Sequence, residues 1–216
     1  MTQTAIPAGF VQPSTTWGVY NQLLFVIQQA IAKMQTATIV KVVDCSNDGG
    51  VSPVGTVDAQ ILVNQINGQG VPTPHVTMYG LPYLRLQGGA NAVILDPQPG
   101  DIGIAVFASR DISTVVSTKA QANPGSYRQY DFSDGMYLGG LLNGTPSQYV
   151  QFGPAGIGIV SPTQVTIQAP TVAIQGNLTV SGTTVGTGDG TFAGIDVQTH
   201  VHSGVQSGGS ETGPPV

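Results

Sequence analysis

Charge is the scarcest property of this sequence. Only 8% of its 216 residues are Asp, Glu, Lys or Arg, against roughly a quarter in a typical soluble domain. Lys and Arg stop at Arg128, whereas acidic residues continue to Glu211. A groove for nucleic-acid phosphates therefore cannot be built from the second half, and the net charge of −5 argues further against this partner.

Cysteine, glutamate and long apolar runs are also scarce. The single cysteine, Cys45, excludes a disulfide framework and is typical of a protein made in a reducing cytoplasm. No signal peptide and no apolar run of about 18 residues is found, so we expect neither export by a leader nor a membrane-spanning helix. Glu211 is the only glutamate, and no hydrolase, zinc-protease or phosphate-loop motif is present. We therefore expect no enzyme.

Glycine, proline and apolar residues are plentiful instead. The chain has 30 glycines and 15 prolines, and 40% of its residues are hydrophobic, which is too apolar for a disordered chain.

Residues 1–35 are predicted to form an irregular arm followed by a helix. Ser14 or Thr15 caps this helix, which runs to Met34. An apolar stripe at heptad-like spacing marks this helix. It indicates either packing on its own domain or contact with a sister chain or docking partner. The stripe consists of Tyr20, Leu24, Ile27, Ile31 and Met34.

Residues 36–110 predict five short strands without a long helix between them, which is typical of an OB-fold barrel. OB barrels often bind oligonucleotides, but this one carries only Lys41, Arg85 and Arg110, so we expect no nucleic acid here. Residues 111–145 are interpreted as a connector. The predicted strands lie in 36–45, 55–66, 75–87, 91–96 and 102–109.

Residues 146–198 carry a repeat of short apolar-x-apolar units separated by turn residues. Each unit predicts a short strand with two inward side chains, which one chain cannot bury alone. Three chains wound about one axis would close an intertwined trimeric β-helix or β-prism. An ordinary sheet of five small strands is the alternative. The units are Val150–Phe152, Ile157–Ile159, Val165–Ile167, Val172–Ile174 and Leu178–Val180.

Two histidines in the last segment, residues 199–216, carry the chemistry of the chain. In an extended strand His200 and His202 lie on one face. Three strands around an axis would bring six imidazoles together, a set that suits one octahedral ion such as Fe²⁺ and does not suit tetrahedral zinc. The expected chain is thus mainly β: a helix, a barrel, a trimeric needle and a metal-bound apex.

Three stretches resemble the central spike proteins of contractile phage tails, the baseplate assembly protein V family. PGDIGIAVFASRDIS (99–113) and RQYDFSDGMYLGG (128–140) are similar to the end of that family's OB domain, and THVHSGVQSGGSETGPP (199–215) is similar to its metal-binding apex. The resemblance implies one iron ion per homotrimer, held by His200 and His202. It also implies further axial ions such as calcium or chloride, for which Asp189 and Asp196 are the candidate cation ligands.

The resemblance further implies a membrane-piercing role in the virion. The N-terminal side would join hub proteins of the tail baseplate, and the tip would pass through the bacterial outer membrane during genome ejection. Two alternatives stay open at this point. One is a trimeric tail-fibre tip that binds a host glycan, and the other is the tip of a related contractile injection machine.

Overall fold

The computed structural model describes residues 18–67, 69–201, 204 and 208. The chain divides into two compact units, Met1–Tyr149 and Val150–Val216. Strands outnumber helices among the described elements of the chain, and the prediction of a mainly β chain is confirmed. Within the described part of the chain, neither helix has the length and hydropathy that a membrane span requires.

Helix α1 spans Val19–Ala32 and is the first element of the described chain. It begins after Gly18, whose φ of 86° breaks the helical path, and no side chain caps it. Ser14 and Thr15, the predicted caps, lie outside the described residues. None of its residues is buried. The helix was therefore predicted correctly in type, but its apolar stripe is not packed into the unit's own core.

In the described part of the chain, thirteen strands and a second, shorter helix follow α1. The second helix, α2, spans Ser113–Thr118, and a 3₁₀ turn covers Phe132–Asp134. The strands are β1 Ala37–Cys45, β2 Thr56–Ile61, β3 Gln65–Ile66, β4 Pro72–Thr73, β5 Thr77–Pro82, β6 Leu86–Gly88, β7 Asn91–Val93, β8 Ile102–Phe107, β9 Gly135–Gly140, β10 Tyr149–Gly153, β11 Gly156–Val160, β12 Thr191–Phe192 and β13 Ile195–Asp196.

The first unit is built on a five-stranded antiparallel sheet with strand order β5-β2-β1-β8-β9. Alternate residues of β2 and β8 are buried, as expected for a sheet with one face on a core. Register irregularities in three of the pairings curl the sheet into a half-barrel. Its two edges meet where Tyr83 forms a parallel bridge with Tyr137 and the amide of Leu84 donates to the Tyr137 carbonyl (2.8 Å).

The core lies inside this curled sheet. Tyr137 is its largest fully buried side chain, and Gly103 leaves the space that the tyrosine occupies. A Cβ atom at position 103 would collide with the Tyr137 ring and the Gly139 carbonyl. The core residues are Val40, Val42, Val57, Ala59, Ile61, Met78, Leu81, Tyr83, Ala105, Phe107 and Tyr137.

One predicted barrel strand was wrong. Residues 91–96 do not join the main sheet; Asn91–Val93 pairs only with Leu86–Gly88 in a separate hairpin. The fifth strand of the sheet is Gly135–Gly140, inside the segment interpreted as a connector. The reason is that β8 needs a partner on its second edge, and the glycine-rich β9 allows the close approach there.

Two buried ionic clusters tie loops to this sheet. In one, Arg85 donates to Asp96 (2.6 Å) and to the carbonyl of Ser52 (2.6 Å), and the Tyr83 hydroxyl donates to Asp96 (2.5 Å). Burial alone would raise the pKa of Asp96, but the hydrogen bonds from Tyr83 and Arg85 outweigh it and the pKa is lowered. This carboxylate therefore stays ionised inside the fold.

In the second cluster, Arg128 contacts two buried carboxylates. Its guanidinium lies 2.9 Å from Asp111 and 3.0 Å from Asp134. Hydrogen bonds from Ser113 and Ser126, with the nearby Arg128 charge, lower the pKa of Asp111 to about 2. The cluster holds the segment between β8 and β9 against the sheet.

The second unit has no buried residue between positions 150 and 201, all of which the structure describes. It contains two small two-stranded sheets, β10 with β11 and β12 with β13. Residues 161–190, also fully described, form no strand. The apolar repeat therefore lies open in the single chain, with exposed fractions of 71% at Ile167 and 68% at Leu178.

Candidate functional site

The first candidate ligand, His200, follows a tight hairpin made by β12 and β13. Thr191 pairs with Asp196, and Phe192 pairs with Ile195. The two linking residues, Ala193 and Gly194, have φ values of 51° and 82°. Positive φ at both positions is the geometry of a type I′ hairpin turn, which matches the twist of the flanking strands. The sequence folds this way because glycine occupies the second turn position.

A turn over residues 197–199 then brings the chain to His200. The Val197 amide donates to the Gly190 carbonyl (2.7 Å), and the His200 amide donates to the Asp196 carbonyl (3.2 Å). His200 thus closes a turn at the end of the hairpin. The hairpin fixes the backbone of this candidate ligand through hydrogen bonds within the same short segment.

The imidazole of His200 is oriented by two backbone carbonyls. Its Nδ1 lies 3.1 Å from the oxygen of Asp196 and 3.0 Å from that of Val197. Both neighbours are acceptors, so Nδ1 carries the proton in these hydrogen bonds. In the neutral ring the lone pair is then on Nε2. Metal-binding histidines are commonly oriented in this way, with one nitrogen donating to a carbonyl and the other facing the ion.

The second candidate ligand, His202, lies outside the described residues. That it shares a face with His200 therefore stays a prediction. Within the part of the chain that the structure describes, no group of three or more His, Cys, Asp or Glu side chains is arranged to hold a metal ion. A metal site that uses His200 needs additional ligands from His202, from other copies of the chain, or from both.

The two candidate cation ligands, Asp189 and Asp196, are used by the hairpin itself. Asp189 accepts a hydrogen bond from the Gln198 amide (3.1 Å). Asp196 accepts from the hydroxyls of Thr191 (2.7 Å) and Thr199 (3.4 Å). These contacts give both carboxylates a structural role in the turn. A second cation at these residues stays a prediction.

Sequence patterns alone did not reveal the acceptors that orient His200. The carbonyls of Asp196 and Val197 are set by the turn that follows β13, and backbone atoms leave no direct trace in residue type. The Ala193-Gly194 pair between two short apolar stretches was the available signal. It indicates a two-residue hairpin turn between residues 192 and 195, so the chain does not run as one continuous strand into His200.

The family model described as the GpV Apex motif matches residues 194–216. This range begins at Gly194, the second residue of the hairpin turn, and contains His200 and His202. The match points to the central spike family of phage baseplates and suggests a role at the spike tip. Proteins of this family are structural components of the baseplate in the virion, which is consistent with a chain that is not an enzyme. A comparison with curated proteins gave no match.

Proposed function

We propose that this chain is the structural central spike of a contractile phage tail baseplate and pierces the bacterial outer membrane during injection. One observation carries the proposal. The unit that ends in the Apex match buries none of its residues between 150 and 201, although it is rich in regularly spaced apolar side chains. Such a unit is stable only when something else covers it.

Other copies of the same chain are the cover that fits best. Each repeat unit presents two apolar side chains, and their exposed fractions stay above half at Ile159, Ile167 and Leu178. Burying one such side chain contributes about 1.5–3 kcal/mol. Three chains around an axis would bury each unit against its two neighbours, which supports a homotrimeric β-prism. No charged residue lies between Gly135 and Gly188 to oppose this contact.

The curled sheet of the first unit supports an OB-fold assignment. Its order, β5-β2-β1-β8-β9, and its closure by a parallel bridge between Tyr83 and Tyr137 are the pairings of a five-stranded Greek-key barrel. Of the barrel's basic residues, Arg85 is buried against Asp96 and is removed from any groove. We expect the barrel to serve as a collar that joins the tail hub and not to bind nucleic acid.

His200 and His202 would hold the metal at the tip. The Nδ1 hydrogen bonds of His200 place the lone pair of the neutral ring on Nε2, which would be the nitrogen that coordinates an ion such as iron. Two imidazoles from each of three chains would fill one ion's coordination sphere. The ion would pin three chain ends together, and chain ends are otherwise the least stable part of a structure.

A mechanical role follows from this design. A needle with a dry interior is stiff because apolar side chains of all three copies pack against one another along its length. When the sheath contracts, the tip transmits the force to the outer membrane and no bond is made or broken. This also explains the absence of a set of catalytic side chains in the sequence.

The experiment that tests the proposal is the mass and metal content of the purified full-length protein. We expect the mass of three chains by light scattering and one iron per trimer by elemental analysis. A monomer would overturn the architecture. A trimer that binds host glycans on an array would favour the fibre-tip alternative.

The double variant His200→Ala/His202→Ala separates the metal from the assembly. We expect it to lose the metal and remain trimeric, because the apolar repeat supplies most of the assembly energy. His75→Ala is the matched control, since His75 lies in the first unit beside Phe132 and should not affect metal content. Three ions per trimer, or none in the unmodified protein, would contradict a shared site.

A further inference from the structure

Helix α1 places its apolar stripe in the open. Tyr20, Ile27 and Ile31 are 76%, 52% and 60% exposed. The residues of α1 that are partly buried are instead Asn21, Phe25 and Gln29. A helix that packs on its own domain would show the reverse, with its apolar stripe against the core. The stripe is therefore positioned for contact outside the unit.

The helix also lacks the features that stabilise a helix by itself. It has 14 residues, no side-chain cap, no acidic residue in its first turn and no basic residue in its last. Isolated helices of this length are marginal in water, and most helical stability in proteins comes from packing of the apolar face. The helix needs a partner surface in the working protein.

The identities of the stripe residues favour association in threes or fours over pairs. The spacing makes Leu24 and Ile31 the a positions of a heptad pattern, with Ile27 at the d position between them and Tyr20 at the preceding d position. Around Ile27 the pattern is Leu at a with Ile at d, then Ile at both, and each combination shifts coiled coils from dimers toward trimers and tetramers. Leu23 and Ala30 at the g positions widen the apolar surface, as a larger bundle requires.

The absence of charge in α1 also favours another copy of the same helix as its partner. No charged residue occurs before Lys33, and Lys33 falls at a c position, away from the seam. The e and g positions, which usually select partners by charge, hold only Asn21, Gln28, Leu23 and Ala30. Identical helices thus meet without repulsion, and the surface offers nothing to a partner that recognises charge.

We propose that α1 of three copies packs through the Tyr20-Leu24-Ile27-Ile31 stripe into a parallel three-helix bundle. The inference rests on the trimer proposed above. Chains held together by their repeat keep their helices at an effective concentration of about millimolar, and threefold symmetry makes the helices parallel. The bundle is a second trimer contact, separate from the needle.

Cysteine cross-linking in the full-length chain tests the bundle. In a Cys45→Ala background, Ile27→Cys places a thiol at the seam, whereas Val26→Cys places one at the outward c position. Val26 is the matched control because it is apolar, adjacent and similarly exposed (63% against 52%). Disulfides need Cβ atoms about 4 Å apart, so oxidation should give at least about tenfold more linked dimer with Ile27→Cys.

Each outcome decides one level of the argument. A trimer that cross-links through residue 27 and not through residue 26 supports the bundle. A trimer without this preference overturns the bundle but not the needle. The stripe of α1 would then contact another protein, such as the hub. A monomer overturns both proposals. A dimer or tetramer by light scattering overturns the threefold arrangement.

Discussion

The two units of the chain use apolar side chains in opposite ways. In the first unit, Val57, Ala59 and Ile61 alternate with exposed or half-buried residues along one strand, and each of the three is buried. In the second unit, Ile157 and Ile159 show the same alternation, yet both stay more than half exposed. The difference is the number of neighbouring strands. The strand with Val57, Ala59 and Ile61 belongs to a five-stranded sheet that curls over its buried face, whereas the strand with Ile157 and Ile159 belongs to a two-stranded sheet that has no second layer.

A strand pattern specifies which face must be covered without specifying what covers it. In the first unit the cover is the curled sheet itself. In the second unit we assign the cover to other copies of the chain. Substitutions in both units and a change of pH test this contrast.

The largest effect is expected from a charge within the repeat. Ile167→Asp would place three carboxylates inside the needle, and an unpaired buried charge costs about 3–5 kcal/mol. We expect loss of the trimer, measured by light scattering. Thr166→Asp, one position away on the outward face, is the control and should change stability by no more than about 0.5 kcal/mol. Equal behaviour of the two variants would mean that Ile167 is a surface residue.

A methyl group inside the curled sheet should have an intermediate effect. In Gly103→Ala the new Cβ meets the Tyr137 ring and the Gly139 carbonyl, and such overpacking typically costs about 1–3 kcal/mol. Gly158→Ala in β11 is the matched control, because a Cβ there meets nothing within 4 Å. It should be neutral or stabilise by up to about 1 kcal/mol. Urea unfolding followed by circular dichroism measures both. An unchanged Gly103→Ala midpoint would show that the sheet relaxes around Tyr137.

The smallest effect is expected from pH. The pKa of Asp111 falls from its ordinary value of 3.8 to about 2 in the folded chain. A lowered pKa stabilises the fold fully above the ordinary value, and this contribution is lost as pH falls from 3.8 toward 2. The first unit should therefore weaken in this window, whereas residues 135–188 contain no charged group to titrate.

Asp111→Asn is the variant that checks this assignment. It should lower the stability of the first unit at neutral pH and remove part of its dependence on pH between 4 and 2. The measurement is thermal unfolding at a series of pH values. A variant that keeps the full acid sensitivity of the unmodified chain would locate the effect in another carboxylate, such as Asp96.

The sequence predicted the parts of the fold that have regular alternation. β1, β2 and β8 were recognised because apolar residues recur at every second position and turn residues bound them. β9 was missed because GMYLGG is half glycine and has no such pattern. Its place in the sheet depends on a long-range contact between Gly103 and Tyr137, which a local pattern does not contain.

The segment 91–96 shows the opposite error. Its apolar run satisfies the pattern of a buried strand, but Leu95 is 84% exposed and Val93 is 60% exposed. Only Asp96, at its end, is buried, through its contacts with Tyr83 and Arg85. Composition predicts that such a run forms a strand, and it does not identify the sheet to which that strand belongs.

The candidate site was predicted by residue type more than by geometry. The spacing of His200 and His202 marked them as ligands, and the Apex match covers both. The orientation of the His200 ring depends on two carbonyls that the turn after β13 presents. The turn over residues 197–199 sets the positions of these carbonyls, and a pattern of imidazole spacing contains no information about that turn.

The absence of Lys and Arg after Arg128 determines where proteases specific for basic residues can cut the chain. An enzyme that cuts after Lys or Arg, such as trypsin, has no target in residues 129–216. Its last target is held by Asp111 and Asp134, so cutting there requires this loop to open first. Digestion would release one long peptide that carries β9 together with the whole second unit. The rate of that single cut would report how often the loop leaves the sheet.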